Sequence, residues 1–197
     1  MSQPADPSLA EAIAEMEDQA FYCKPSVPVG QVSSELAPTI AKLGLERNCR
    51  ELAELGYTVV EDAGTLEFIA RLRERVLEQG HPYAFQLLDK DPLFAEAVLN
   101  PRLMAMAEFS VGAGFLLSQL ASSVRGQGSP CIPMHADQAW VPTPFPEQNM
   151  FLTACWVCDE FTKEGGATLV IPGTTALRRS TAPTELLQSR SYRTPVP

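Results

Sequence analysis

A chain of 197 residues, 45% of them hydrophobic, is long enough to bury one core with decorations and too short for two large independent domains. Its 24 acidic against 15 basic residues give a net charge of -9, which repels phosphate backbones and anionic lipid surfaces, so nucleic acid and membranes are excluded as expected partners. No apolar run reaches the ~18–20 residues of a membrane-spanning helix, and the start "MSQPADPSLAEAIAEMEDQ" lacks the basic opening and apolar stretch of a signal peptide. The expectation is a soluble, cytoplasmic protein whose five cysteines (Cys23, Cys49, Cys131, Cys155 and Cys158) are reduced thiols.

Asp6-Pro7 opens a first predicted helix with Leu9, Ile13 and Met16 on one face, and "FYCKPSVPVGQVSS" follows as an irregular arm. "ERNCRELAELG" predicts a short helix that stops at Gly56. "YTVVE" then reads as a strand, and Thr65 caps a helix over "LEFIARLRERVLEQ" that ends before Gly80. Asp91-Pro92 opens the next helix, Asn100-Pro101 breaks it, and "RLMAMAEF" supplies another. After Gly114 the pattern changes to strand-length segments, "FLLSQLASSV", "NMFLTACWVC" and "ATLVI", between loops rich in Gly and Pro. The last two flank "DEFTKEGG", whose Gly165 and Gly166 suit a hairpin turn, so antiparallel pairing is expected there. Beyond Gly173 neither a strand nor a long helical period is visible.

"PMHADQAW" holds one of only two histidines, His135, two positions before Asp137. In an extended segment i and i+2 share a face, so an imidazole and a carboxylate can converge on one ion. The plainer reading is a loop histidine beside an aspartate that closes a local turn. "CWVC" could hold zinc or run redox chemistry, but no second cysteine pair accompanies it, and along a strand residues 155 and 158 point to opposite faces. "GAG", residues 112 to 114, is a turn rather than a dinucleotide loop. His81 after the Gly80 stop reads as a capping or solvated residue, and Arg178, Arg179, Arg190 and Arg193 as a solvated basic tail.

Taken in order, "ELAELGYTVVEDAGTLEFIARLRERV", "DPLFAEAVLNPRLMAMAEF", "HAD" and "ACWVCDEFTKEGGATLVIPGT" resemble the phytanoyl-CoA dioxygenase family of Fe(II)- and 2-oxoglutarate-dependent oxygenases, over about Asn48 to Thr175. The resemblance implies an α+β chain built on a double-stranded β-helix, the cupin-like jelly roll, with N-terminal helices packed outside. It divides the chain into a helical arm, 1–47, the oxygenase-like domain, 48–175, and an irregular tail, 176–197. It implies hydroxylation of a small organic metabolite or acyl-type substrate, with Fe(II) as cofactor and 2-oxoglutarate as cosubstrate. By position His135 and Asp137 are similar to the family's first two iron ligands, and Trp156 to a residue lining the 2-oxoglutarate pocket. The family's distal histidine, and the arginine that pairs with 2-oxoglutarate, fall beyond the "PGT" segment. No histidine follows His135 here, and Thr175 stands where that histidine is expected. The sequence therefore reads as the front part of a jelly roll, with self-association through an open sheet edge as an expected consequence. The alternative is a non-catalytic binding module that keeps the family's core without its full site.

Overall fold

The structure is a computed structural model that describes residues 30–80, 82–130, 132–138, 140–142, 144–162 and 165–174. The predicted helix after Asp6, His81, Thr175 and the basic tail lie outside those residues. Five α-helices form in chain order: α1 (Ala37–Leu43), α2 (Glu46–Leu55), α3 (Leu66–Glu78), α4 (Pro92–Val98) and α5 (Pro101–Val111). None is long and apolar enough to cross a membrane among the described residues.

Each of the last three helices starts where a short polar side chain replaces a missing backbone partner. Thr65 Oγ1 accepts from Phe68 N at 3.1 Å, Asp91 Oδ1 from Leu93 N at 2.8 Å, and Asn100 Oδ1 from Arg102 N at 3.0 Å. Such a cap contributes about 1 kcal/mol. Pro92 and Pro101 sit in the first turn, where a missing N–H costs nothing. Asn100 also donates from Nδ2 to Ala63 O at 2.7 Å, which ties the start of α5 to the loop before α3. Gly44 and Gly56, at φ 65° and 79°, end α1 and α2 in the left-handed region open to glycine.

The helices enclose two small cores. Leu36, Ile40, Leu45, Cys49, Ala105 and Met106 join α1, α2 and α5. Leu72, Ala84, Leu87, Leu93, Phe94 and Ala97 join α3 and α4 to the strand and 3-10 turn between them, with Phe68 and Trp156 packed on the outside. Full burial of a leucine or phenylalanine stabilises by roughly 1.5–3 kcal/mol, so these clusters carry much of the fold.

The sheet is much smaller than the sequence predicts. Its one ladder among the described residues pairs β1 (Tyr83–Ala84) with β2 (Ser122–Ser123) antiparallel, in the register Tyr83↔Ser123 and Ala84↔Ser122. Bonds from Leu87 N to Leu120 O and from Val124 N to Pro82 O extend the contact at either end. Of the predicted strand 115–124 only Ser122–Ser123 enters a ladder. Segments 149–158 and 167–171 form none with each other among the described residues, although the turn between them closes: Ala167 N donates to Thr162 O at 3.0 Å and Gly166 takes φ 82°. "YTVVE" is not a strand either, because the Asn48 side chain takes the carbonyl of Val59 (2.8 Å) and the hydroxyl of Thr58 (2.9 Å). The described residues show mixed helix with little sheet, and the expected double-stranded β-helix is not seen among them. The reason is that a helix closes its own hydrogen bonds, whereas a strand of high β propensity becomes one only against a partner strand.

The extended half is nonetheless pinned to the helices. Trp156 Nε1 donates to Ala97 O at 3.2 Å, Gly173 N to Leu55 O at 2.8 Å and Asn149 Nδ2 to Ser110 Oγ at 3.2 Å. The first two acceptors belong to the last turns of α4 and α2, whose carbonyls have no partner within the helix.

Candidate metal centre

His135 and Asp137 follow Pro133 on the surface of the extended half. The His135 Nδ1 lies 2.8 Å from the carbonyl oxygen of Pro133. A carbonyl only accepts, so that nitrogen carries the proton and Nε2 is left with its lone pair. Nε2 faces Asp137 Oδ1 at 3.2 Å, with the two side chains 56% and 47% exposed. At that spacing an imidazole nitrogen and a carboxylate oxygen can share one metal ion. The other carboxylate oxygen, Oδ2, accepts from Thr153 Oγ1 at 2.5 Å.

The donor set, one imidazole nitrogen and one carboxylate oxygen, suits Fe(II), Mn(II) or Zn(II). Adjacent ligands about 2.1 Å from a six-coordinate ion lie about 3 Å apart, close to the separation of these two atoms. Both donors also carry the supports that metal ligands usually have, a backbone carbonyl on the second imidazole nitrogen and a hydroxyl on the second carboxylate oxygen. Among the described residues no group of three or more His, Cys, Asp or Glu side chains converges, so a third protein ligand is not found among them.

Trp156 sits elsewhere. Its indole packs edge-on against Phe68, with centroids 5.2 Å apart, and its N–H is used by Ala97 O. Gly64 leaves room for the two rings: a Cβ there would stand 2.9 Å from Phe68 Cδ1 and 3.2 Å from Trp156 Cζ3. Along the segment 153–158 the side chains alternate. Thr153 and Cys155 attend Asp137; desolvation of the sulfur, then the Asp137 carboxylate, push the Cys155 thiol upward although part of the residue reaches solvent, while Trp156 and Cys158 pack toward α3 and α4. The structure thus brings His135 and Asp137 together and holds Trp156 in the helical layer. Cys155 is exposed at its surface, Cys158 half-buried, and both are free thiols, so "CWVC" holds no disulfide. Arg73 Nε, 2.7 Å from Asp159 Oδ1, fixes the end of this segment to α3.

Thr153 is the partner that the sequence reading missed. Its signal was a lone hydroxyl in the otherwise apolar run "MFLTACWV", at the same alternation as Cys155.

Residues 77–194 match the family described as phytanoyl-CoA dioxygenase (PhyH), a span that includes His135, Asp137, Thr153 and Trp156 and covers more than half of the chain. The chain belongs to the phytanoyl-CoA dioxygenase family. The family span begins near the end of α3 and runs past Thr175 through the basic residues of the tail, so it starts and ends later than the stretch 48–175. The chain is also similar to Dioxygenase af480 of Aspergillus fumigatus, 30% identical over 90 residues, which amount to 45% of this chain and 29% of that protein. The match spans less than a third of that relative's length. No solved structure matches the chain significantly.

Proposed function

We propose that the chain carries part of the centre of an Fe(II)- and 2-oxoglutarate-dependent dioxygenase, with His135 and Asp137 as two metal ligands, acting on a small organic metabolite or acyl-type substrate. The observation that carries this reading is the convergence of Nε2 and Oδ1 to 3.2 Å within the span that matches the family. When bound, iron with 2-oxoglutarate supplies the oxidising power to hydroxylate an unactivated C–H bond. The protein's own residues perform a smaller set of tasks. Pro133 O fixes the imidazole tautomer so that Nε2 is free to bind, and Asp137 adds a negative charge that offsets part of the metal's. The helical layer braces the segment 153–158 from behind through Trp156 and Arg73. For Trp156, whose N–H donates to Ala97 O, we propose the family's place beside the 2-oxoglutarate pocket. For the whole enzyme we propose the family's double-stranded β-helix, and for the extended segments 149–158 and 167–171 self-association through their edges, which light scattering would reveal.

A second reading, a binding module without turnover, is favoured by the presence of only two converging donors among the described residues. The two readings part in one experiment. Mn(II) or Fe(II) titrated into the protein with 2-oxoglutarate should bind weakly, and binding should vanish in His135→Ala and in Asp137→Ala. Succinate released in an Asp137-dependent manner supports the enzyme, and binding without release supports the module. Affinity unchanged in both variants would remove His135 and Asp137 from the metal altogether.

A further inference from the structure

Asp137 has two oxygens, and the structure gives them different partners. Oδ1 faces His135 Nε2 at 3.2 Å, and Oδ2 takes the Thr153 hydroxyl at 2.5 Å. The contact is not isolated, because Trp140 meets Phe151 edge-on with centroids 6.4 Å apart. Residue 137 meets 153 and residue 140 meets 151, so the two segments touch at two points, in opposite chain order. Thr153 is itself placed by the residues that follow it, since Trp156 and Asp159 are anchored to α4 and α3. Threonine adds stiffness at χ1, so its hydroxyl is held in few positions.

We propose that Thr153 is a positioning residue that makes Asp137 a one-oxygen metal ligand and thereby sets which ions the centre accepts. A carboxylate whose second oxygen is engaged by a hydroxyl must bend or give up that bond to chelate an ion with both. That restriction suits small ions with about six ligands near 2.1 Å and disfavours calcium, which takes six to eight oxygens at about 2.3–2.6 Å and often a two-oxygen carboxylate. It also keeps one more coordination position open for cosubstrate and oxygen. The inference rests on the reading of His135 and Asp137 as ligands.

The test is a comparison of Mn(II) and Ca(II) affinities, by calorimetry, for the full chain and for T153V, T153S and D137A. Valine preserves the shape of threonine without its hydroxyl. Loss of a supporting partner of this kind weakens metal binding by about 10- to 100-fold. T153V should therefore lose about tenfold or more in Mn(II) affinity while Ca(II) affinity holds or rises, and T153S should restore the original ratio. A T153V protein with an unchanged Mn(II)/Ca(II) ratio, alongside a D137A protein that binds neither ion, overturns the role of Thr153 and leaves the metal ligands standing. An equal loss for both ions in T153V, not restored by serine, shows a merely structural residue and overturns it too. Undiminished Mn(II) binding in D137A, or none in the unaltered chain, overturns the ligand assignment itself. Should circular dichroism show T153V unfolded, T153A against T153S decides by the same ratio.

Discussion

Residues 37–111 and residues 115–174 obey different rules. In the first stretch every helix is bounded by a signal within a few residues of its end, and the apolar side chains between those signals reach their partners by helical spacing, as Leu36 and Ile40 do. In the second stretch the chain is rich in β-branched and aromatic residues, yet Phe145 and Ile171 are its only buried hydrophobic side chains among the described residues. Much of its order comes from outside, from Ala97 O, Leu55 O, Ser110 and Arg73. His135 and Asp137 lie in this second stretch, where their side chains remain exposed enough to meet an ion or a substrate. The helical layer provides rigidity and the extended half provides access.

The sharpest way to break this contrast is to remove a side chain from each stretch. Phe94→Ala, at a site 2% exposed, should destabilise by about 3–5 kcal/mol, whereas Leu116→Ala, at a site 89% exposed, should stay within about 0.5 kcal/mol of the unaltered protein. Urea midpoints measure both, and a comparable loss at Leu116 would show that the extended half has a core of its own.

A second prediction concerns alkali. Burial, and then the neighbouring Glu46 carboxylate, push the Cys49 thiol from 9.0 up to about 11. The folded protein therefore keeps a proton that the unfolded chain releases earlier, so the stabilisation is complete below about pH 9 and is lost as pH rises toward about 11. The loss should be on the order of 2 kcal/mol. Urea unfolding of the unaltered protein and of Cys49→Ala across this range isolates the effect, and parallel curves for the two proteins would contradict it.

The smallest effect separates the two faces of one segment. Trp156→Phe removes the bond to Ala97 O and should cost about 1–2 kcal/mol of stability, with a smaller loss of Mn(II) affinity than T153V. A thermal melt and the metal titration are read together. A loss of metal binding in Trp156→Phe as large as in T153V would mean that the anchor, rather than the Thr153 hydroxyl, governs the ion.

The legible parts of the molecule are those whose causes lie close together in sequence. Thr65 and Asp91 were readable as helix starts because each acts on an N–H two or three residues away, and Asn100, read only as a break, caps the next helix by the same rule. His135 and Asp137 were readable as a pair for the same reason, being two positions apart. The strands were not, because the partner for each must come from elsewhere, and Tyr57–Glu61 shows a side chain, Asn48, taking what a strand would have taken. Thr153 was illegible alone, since its meaning comes from a carboxylate 16 positions earlier. Trp156 is more instructive. The alternation that separates Cys155 from Cys158 also separates Trp156 from Thr153, so its place among the helices was implicit in the pattern.

The bond from Gly173 N to Leu55 O has a consequence in time. The last carbonyl of α2 waits for a donor from far down the chain, and Ala97 O waits in the same way for Trp156. At ribosomal rates of about 5–20 residues per second, that partner reaches the helix end on the order of ten seconds after the helix itself is made. During synthesis α2 and α4 exist with frayed ends and an uncovered flank, and a nascent chain halted within that interval presents the flank to chaperones and proteases.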